Sequence, residues 1–325
     1  MPSFRGLLRR VADRLNPPRQ ATDGPAILMY HRIADDSFDP WGLAVSPSNF
    51  AEQVGWLAAN RSILSLVEFA QLHRKDRLPR DAITITFDDG YASVIQEAAP
   101  VLADAGAPAT VFIPADLVAR GAVFWWDELK CIVLQTPLNS LEFEGAVELG
   151  DRTPADDHWV PDDPPRTPRQ IAFYGIWEQL KPRAPAAIDK AMAHLREQVG
   201  VAATGHCPRL LTANELRERP ALLDVGSHAL THPSLPRLSF DEKAREIRES
   251  VARCEALSGT RPRTFAFPFG DNDRESVDLV RDAGFECACT TEAAFVTART
   301  DPFRIPRLAV PNCDAAGLAS RLGAS

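Results

Sequence analysis

Three short stretches of this 325-residue sequence bring together residue types that can do chemistry. The first is Thr86-Phe87-Asp88-Asp89-Gly90-Tyr91, where two adjacent carboxylates leave an apolar run and Gly90 permits a tight turn. Adjacent acids can divide labour, one ligating a cation while the other moves protons. A strand end followed by an Asp helix cap is the plainer reading of the same residues. The second stretch, Ser227-His228-Ala229-Leu230-Thr231-His232-Pro233, holds two of the seven histidines, four residues apart. On a helical turn that spacing presents both imidazoles on one side. Two histidines and one carboxylate leave an open position for water, as in a catalytic zinc site. The plainer reading is a pair of satisfied surface or core imidazoles. The third is Phe265-Ala266-Phe267-Pro268-Phe269-Gly270, an apolar run entering a Pro-aromatic-Gly turn whose backbone amide can face an oxyanion. Alone, such a turn is usually structural.

Short apolar runs must carry these stretches. Ala26–Tyr30, Ala82–Phe87, Ala109–Ile113, Leu222–Gly226, Thr264–Phe267, Cys287–Thr290 and Arg304–Val310 read as strands. Helices fall between them. One opens at Ser46-Pro47, one runs over about 92–105 and ends at Gly106, and one covers about 274–283. Capping boxes at Thr212-x-x-Glu215 and Ser239-x-x-Glu242 open two more. Strand–helix alternation predicts a parallel sheet or barrel. Active sites of such folds lie at the C-terminal strand edge, where all three stretches fall. The alternation breaks over about 122–211. Residues 151–168 hold five Pro and five Asp, a loop composition, between the helical pieces WWDELKCIVL and 170–198. This predicts a mostly helical insertion, either lying over one face of the main fold or forming a separate module. No internal repeat is present.

A formal charge of −8, with 45% hydrophobic and 25% charged residues, fits a soluble globular protein. It excludes a mainly disordered or collagen-like chain, and the acidic balance argues against a nucleic-acid partner. No apolar run reaches the ~18–20 residues that span a bilayer. Five Arg interrupt the first twenty residues and no apolar signal core appears, so the expected location is the cytoplasm. Phe4, Leu7, Leu8, Val11 and Leu15 lie among Arg5, Arg9, Arg10 and Arg14. Residues 1–25 thus read as a basic amphipathic segment. It either docks on the protein's own body or makes peripheral contact with the inner membrane face. The six cysteines form no CxxC pair and read as reduced thiols.

Taken together, TFDDGY, SHALTH and FAFPFG, in this order and spacing, resemble the polysaccharide deacetylases, the NodB-like carbohydrate esterase family 4. The resemblance covers roughly residues 26–120 and 212–311. It implies an α/β fold, a distorted (β/α)7 barrel, here over 26–325 and interrupted by the insertion. It also implies a divalent metal, zinc first, with cobalt, nickel or manganese as alternatives. The implied reaction is hydrolysis of N-acetyl groups on amino sugars of a polysaccharide or lipid-linked glycan. Carried over residue by residue, Asp89, His228 and His232 become metal ligands and Asp88 the general base. The Phe269 amide becomes an oxyanion donor, with Tyr91 a second substrate-binding or oxyanion residue.

Two departures follow. Where the family has an Arg near the third motif, in a sequence like FRPPYG, this chain has Ala266. The family's late Leu-x-His, which supplies the acid, is absent, since no His follows His232. Leu28-Met29-Tyr30-His31-Arg32-Ile33 resembles permuted members that deacetylate poly-N-acetylglucosamine, where an early Tyr-His segment supplies the acid. His31 takes that role by the resemblance; its plainer reading is a strand end bonded to a loop. The missing Arg is sought in Arg304-Ile305-Pro306-Arg307. Arg307 is the choice, though either Arg could be a salt-bridged barrel residue. His73, His158, His194 and His206 read as surface residues, and Trp125-Trp126 as packing or a sugar-stacking pair. The competing functions are an O-acetyl esterase on an acetylated glycan and an inactive sugar-binding or scaffold relative.

Overall fold

A computed structural model describes the protein over residues 23–159, 163–200 and 207–323. Residues 1–22 of the expected basic segment, and His206, lie outside the described residues. The described residues divide into two compact units. One holds the chain up to Asp36, Gly42–Gly121 and everything from Leu210 onward; the other holds Ser37–Trp41 and Ala122–Arg209.

The first unit is built on eight strands: β1 (Ala26–Tyr30), β2 (Ser62–Ile63), β3 (Ala82–Phe87), β4 (Ala109–Ile113), β5 (Leu223–Ser227), β6 (Thr264–Ala266), β7 (Cys287–Cys289) and β8 (Leu308–Ala309). Seven follow the order β7-β6-β5-β4-β3-β1-β8, and β2 pairs with the start of β3. Every pairing is parallel. Ile305 bridges to Cys289 of β7, and three residues later β8 pairs with β1. One segment therefore touches both ends of the sheet, and the sheet curls into a distorted barrel. All residues of β1 and β3 are buried, as expected for near-continuous apolar strands covered on both faces.

The register brings the strand ends level. Tyr30 pairs with Phe87, and Ile113 and Phe265 both pair with Ser227. The residues that follow, His31, Asp88 and His228, consequently emerge on one rim. Beyond that rim, Gly270 is at φ +74° and a Cβ there would lie 2.0 Å from the Thr291 hydroxyl oxygen, so no other residue fits this turn.

Three sequence expectations are corrected. The last strand is not continuous over Arg304–Val310. Pro306 has no N–H to give a ladder and Arg307 turns inward, so only Leu308–Ala309 remains strand. The helix expected from 92 opens as a π-helical turn, Val94–Ala98, before becoming α-helical at Ala99–Ala105. Pro100 cannot donate to the carbonyl four residues back, which disfavours a regular first turn. The His228–His232 stretch is no helix but a turn with Ala229 and His232 at φ 63° and 59°.

The second unit carries helices Trp125–Gln135, Pro168–Leu180 and Pro185–Val199 and a hairpin of Ser140–Glu142 with Ala146–Glu148. Arg169, 1% exposed, donates to the carbonyls of Val133, Thr136, Leu138 and Gly150 and so ties this loop-rich region together. Ser37–Trp41, which nothing in the sequence separates from its neighbours, groups here because of its rings. Phe38 packs edge-on to Trp159 and Phe173, and Trp41 stacks on Trp177 with centroids 4.3 Å apart. Trp125 and Trp126 also sit among aromatic neighbours. Cys131 and Cys207 sulfurs are 3.1 Å apart, and all six cysteines are free thiols. Among the described residues no helix is long and apolar enough to cross a membrane.

Candidate active site

Asp88 and Asp89 follow β3 and meet different partners, and Asp89 and Gly90 both take left-handed backbone, at φ 73° and 69°. For a non-glycine residue this costs on the order of 1–3 kcal/mol and persists where surroundings enforce it. Of six non-glycine residues with positive φ among those described, four (Asp89, Ala229, His232 and Phe269) lie in the three chemistry-bearing stretches.

Asp89, His228 and His232 converge. Asp89 Oδ1 lies 3.6 Å from His228 Nε2 and 3.2 Å from His232 Nε2, and all three residues are buried. Three donors around a tetrahedral ion at ~2.1 Å would stand roughly 3.4 Å apart, so the spacing suits one small cation. Asp89 Oδ1 is a buried oxygen that accepts no hydrogen bond from the described residues. An acceptor in that state is costly unless a cation takes it. His228 Nδ1 lies 2.7 Å from the Ala266 carbonyl. A carbonyl can only accept, so Nδ1 carries the proton and Nε2 offers its lone pair towards Asp89. Burial pushes the His228 pKa down to about 4, and it pushes the Asp89 carboxyl up. Burial thus favours the neutral imidazole, the form whose Nε2 has a lone pair to offer, and makes an ionised Asp89 costly without a cation beside it. Asp89, His228 and His232 form the one three-member group of suitable donors among the described residues.

Asp88 faces a different partner. Arg307 Nη1 and Nη2 donate to Asp88 Oδ1 and Oδ2 at 2.7 and 2.6 Å, a bidentate fork. Arg307 has no exposed surface. Its Nε donates to the Thr290 carbonyl at 2.9 Å, and its guanidinium lies 5.6 Å from the centre of the Phe112 ring. Burial alone would raise the Asp88 pKa; Arg307, with smaller help from His228 and His31, more than reverses this and holds it well below the usual carboxylate range. The guanidinium thus reaches Asp88 from the residue just before β8, 219 positions along the chain.

That pair sets a stability test. Arg307→Met keeps length and apolar packing but leaves a buried carboxylate without its cation. The expected loss is about 3–5 kcal/mol, read from urea unfolding. A variant as stable as the parent would contradict the pairing.

His31, half-buried just beyond β1, interacts electrostatically with Asp89, Asp88, Arg307 and His228. Burial lowers its pKa, and the two carboxylates only partly oppose this. The Phe269 ring packs edge-on to His232 with centroids 4.5 Å apart, and its backbone sits at φ 58°. Tyr91 is 1% exposed, its ring 5.7 Å from the Arg32 guanidinium.

One residue at the site escaped sequence reasoning. Glu246 caps the loop that carries both histidines. A signal was present, since Glu246 falls on the stripe of Ile247, Ser250, Val251 and Cys254 that its helix buries. A carboxylate on such a stripe must have partners.

Residues 75–159 and 187–288 match the polysaccharide deacetylase family. Over 302 residues the chain is 22% identical to the poly-beta-1,6-N-acetyl-D-glucosamine N-deacetylase of Escherichia coli (strain K12), covering 89% of this chain and 37% of that protein. It is 35% identical over 99 residues to the enzyme of the same name from Staphylococcus aureus (strain MSSA476), covering 26% of this chain and 34% of that one. The chain thus spans little more than a third of the length of these curated relatives. Among solved structures, the Streptococcus pyogenes deacetylase PplD in complex with acetate superposes with a TM-score of 0.56 at 17% identity, covering 92% of this chain and 98% of that one. IcaB from Ammonifex degensii superposes with a TM-score of 0.55 at 21% identity, covering 93% and 98%. At these identities the likeness is one of fold.

Proposed function

We propose, from the premise that this chain belongs to the polysaccharide deacetylase family, that it is a metal-dependent hydrolase. It removes N-acetyl groups from amino sugars of a polysaccharide or lipid-linked glycan. The observation that carries this reading is the pairing of two neighbouring acids with different partners. Asp89 faces two imidazole nitrogens, and Asp88 is locked to Arg307. The names of the relatives, which act on poly-N-acetylglucosamine, support the substrate class.

Asp89, His228 and His232 would hold the ion, zinc in the first instance. Bound there, it would polarise the acetyl carbonyl and lower the pKa of water from near 16 toward ~7. Arg307 keeps Asp88 ionised and aimed, and in doing so weakens it as a base. Asp88 can therefore take a proton only from water that is already acidified. The Phe269 amide would receive charge developing on the carbonyl oxygen. His31 in its protonated form gives a proton to the departing amine, leaving acetate and a free amino sugar.

The acid role separates two kinds of substrate. An amine leaves only when protonated, whereas an activated aryl ester needs no such help. His31→Ala is expected to slow amide cleavage by about 10²–10⁴-fold and hydrolysis of an activated acetate ester far less. Equal losses on both substrates would remove His31 from the role. The reading as a whole is tested by a screen of N-acetylated and O-acetylated saccharides, free and lipid-linked, with acetate release as readout. Release from N-acetyl substrates, suppressed by a chelator and restored by zinc, is expected. Release from O-acetyl substrates alone would make the protein an esterase.

A further inference from the structure

Glu246 is a carboxylate that the hydrolysis described above does not use. It lies on the helix Phe240–Ser258 and is 2% exposed. Its Oε2 accepts from the backbone N–H of Leu230 at 3.0 Å and of Thr231 at 2.9 Å, and its Oε1 accepts from the Thr231 hydroxyl at 2.7 Å. Both residues lie between His228 and His232. The loop is held from its other side as well. The carbonyls of Ala229 and Leu230 accept from the N–H groups of Ala115 and Asp116, at 3.1 and 2.9 Å, where the helix Ala115–Arg120 begins.

The loop needs such a grip. Ala229 and His232 both have left-handed backbone, which persists only where surrounding contacts enforce it. A carboxylate is an expensive group to bury, and three charge-assisted bonds to one short loop are what make its burial tolerable. The same helix also reaches the strand end before the loop, where Ser250 and Ser227 share a hydrogen bond of 2.7 Å.

We infer that Glu246 is a positioning residue that fixes the separation of the His228 and His232 Nε2 atoms, and so sets the affinity for the divalent ion rather than the rate of the chemical step. This rests on the metal reading of Asp89, His228 and His232. Outer partners of metal ligands typically contribute 10–100-fold in affinity. A purely structural cap would change thermal stability and leave the ion's dissociation constant alone.

The test uses the full chain, stripped of metal by dialysis against a chelator. Zinc alone is titrated in competition with a chromophoric chelator into the parent, Glu246→Ala and Glu246→Gln, and thermal unfolding of each metal-free form is followed. Glu246→Ala is expected to weaken zinc binding by about 10–100-fold, with acetate release returning towards the parent rate at saturating zinc. Glu246→Gln keeps the length and one acceptor oxygen and should fall between the two. A zinc dissociation constant within twofold of the parent in Glu246→Ala, whatever happens to its melting temperature, would overturn the inference. Should Glu246→Ala fail to fold, an unchanged zinc affinity in Glu246→Gln would overturn it, and a severalfold loss would support it. A parent chain that binds no zinc at all would instead bring down the metal reading, and this inference with it.

Discussion

Asp88→Asn is expected to retain zinc and lose acetate release by about 10²–10⁴-fold. Asparagine preserves the shape of the side chain and can still accept from Arg307, but it cannot take a proton. Asp88 is not among the three converging donors, so the ion should stay. The variant should also be less stable than the parent. The Arg307 guanidinium has no exposed surface and would lose the charge that balances it. Metal content and single-turnover acetate release, measured on one preparation, separate the effects. Turnover near the parent rate would place the base elsewhere.

His228→Ala is expected to remove ion and activity together, with a rate loss of at least about a thousandfold, or ~4 kcal/mol. Its Nδ1–H is committed to the Ala266 carbonyl, so the ring has one orientation and one lone pair to offer. Removing it leaves two donors, which hold a divalent ion poorly under competition from water. Asp89→Asn should behave alike, because a neutral amide oxygen is a weak replacement for a buried carboxylate. Cobalt substitution gives the readout, since the visible band of a tetrahedral site should vanish in both variants. A His228→Ala chain with parental zinc affinity would show that the imidazole is only packed there.

Much of this arrangement was legible in the sequence because it depends on local signals. β1, β3 and β4 follow the apolar runs Ala26–Tyr30, Ala82–Phe87 and Ala109–Ile113. The capping boxes at Thr212 and Ser239 open the helices they announce. The three stretches sit on one rim because parallel strands end there. What the sequence carried poorly was non-local or conformational. Arg307 reaches Asp88 across 219 positions of chain, and nothing in the local pattern separates it from Arg304. The histidine pair was rationalised by helical spacing, yet a strained turn brings the rings together. Glu246 is hard to single out among the many charges of its helix: two of its three bonds come from backbone amides, which leave no trace in residue identity, and only its place on the buried stripe marks it. The effect of burial on His31 is likewise a property of the packed interior.

The most direct check is crystallographic. Crystals of the protein grown with zinc would be measured at the zinc absorption edge, and the anomalous map searched around the barrel rim. A single strong peak within coordination distance of Asp89 Oδ1, His228 Nε2 and His232 Nε2, with Asp88 still forked to Arg307, is the expected result. Zinc found elsewhere in the molecule, with that space empty or filled by the side chains themselves, would contradict a metal hydrolase built on these three residues.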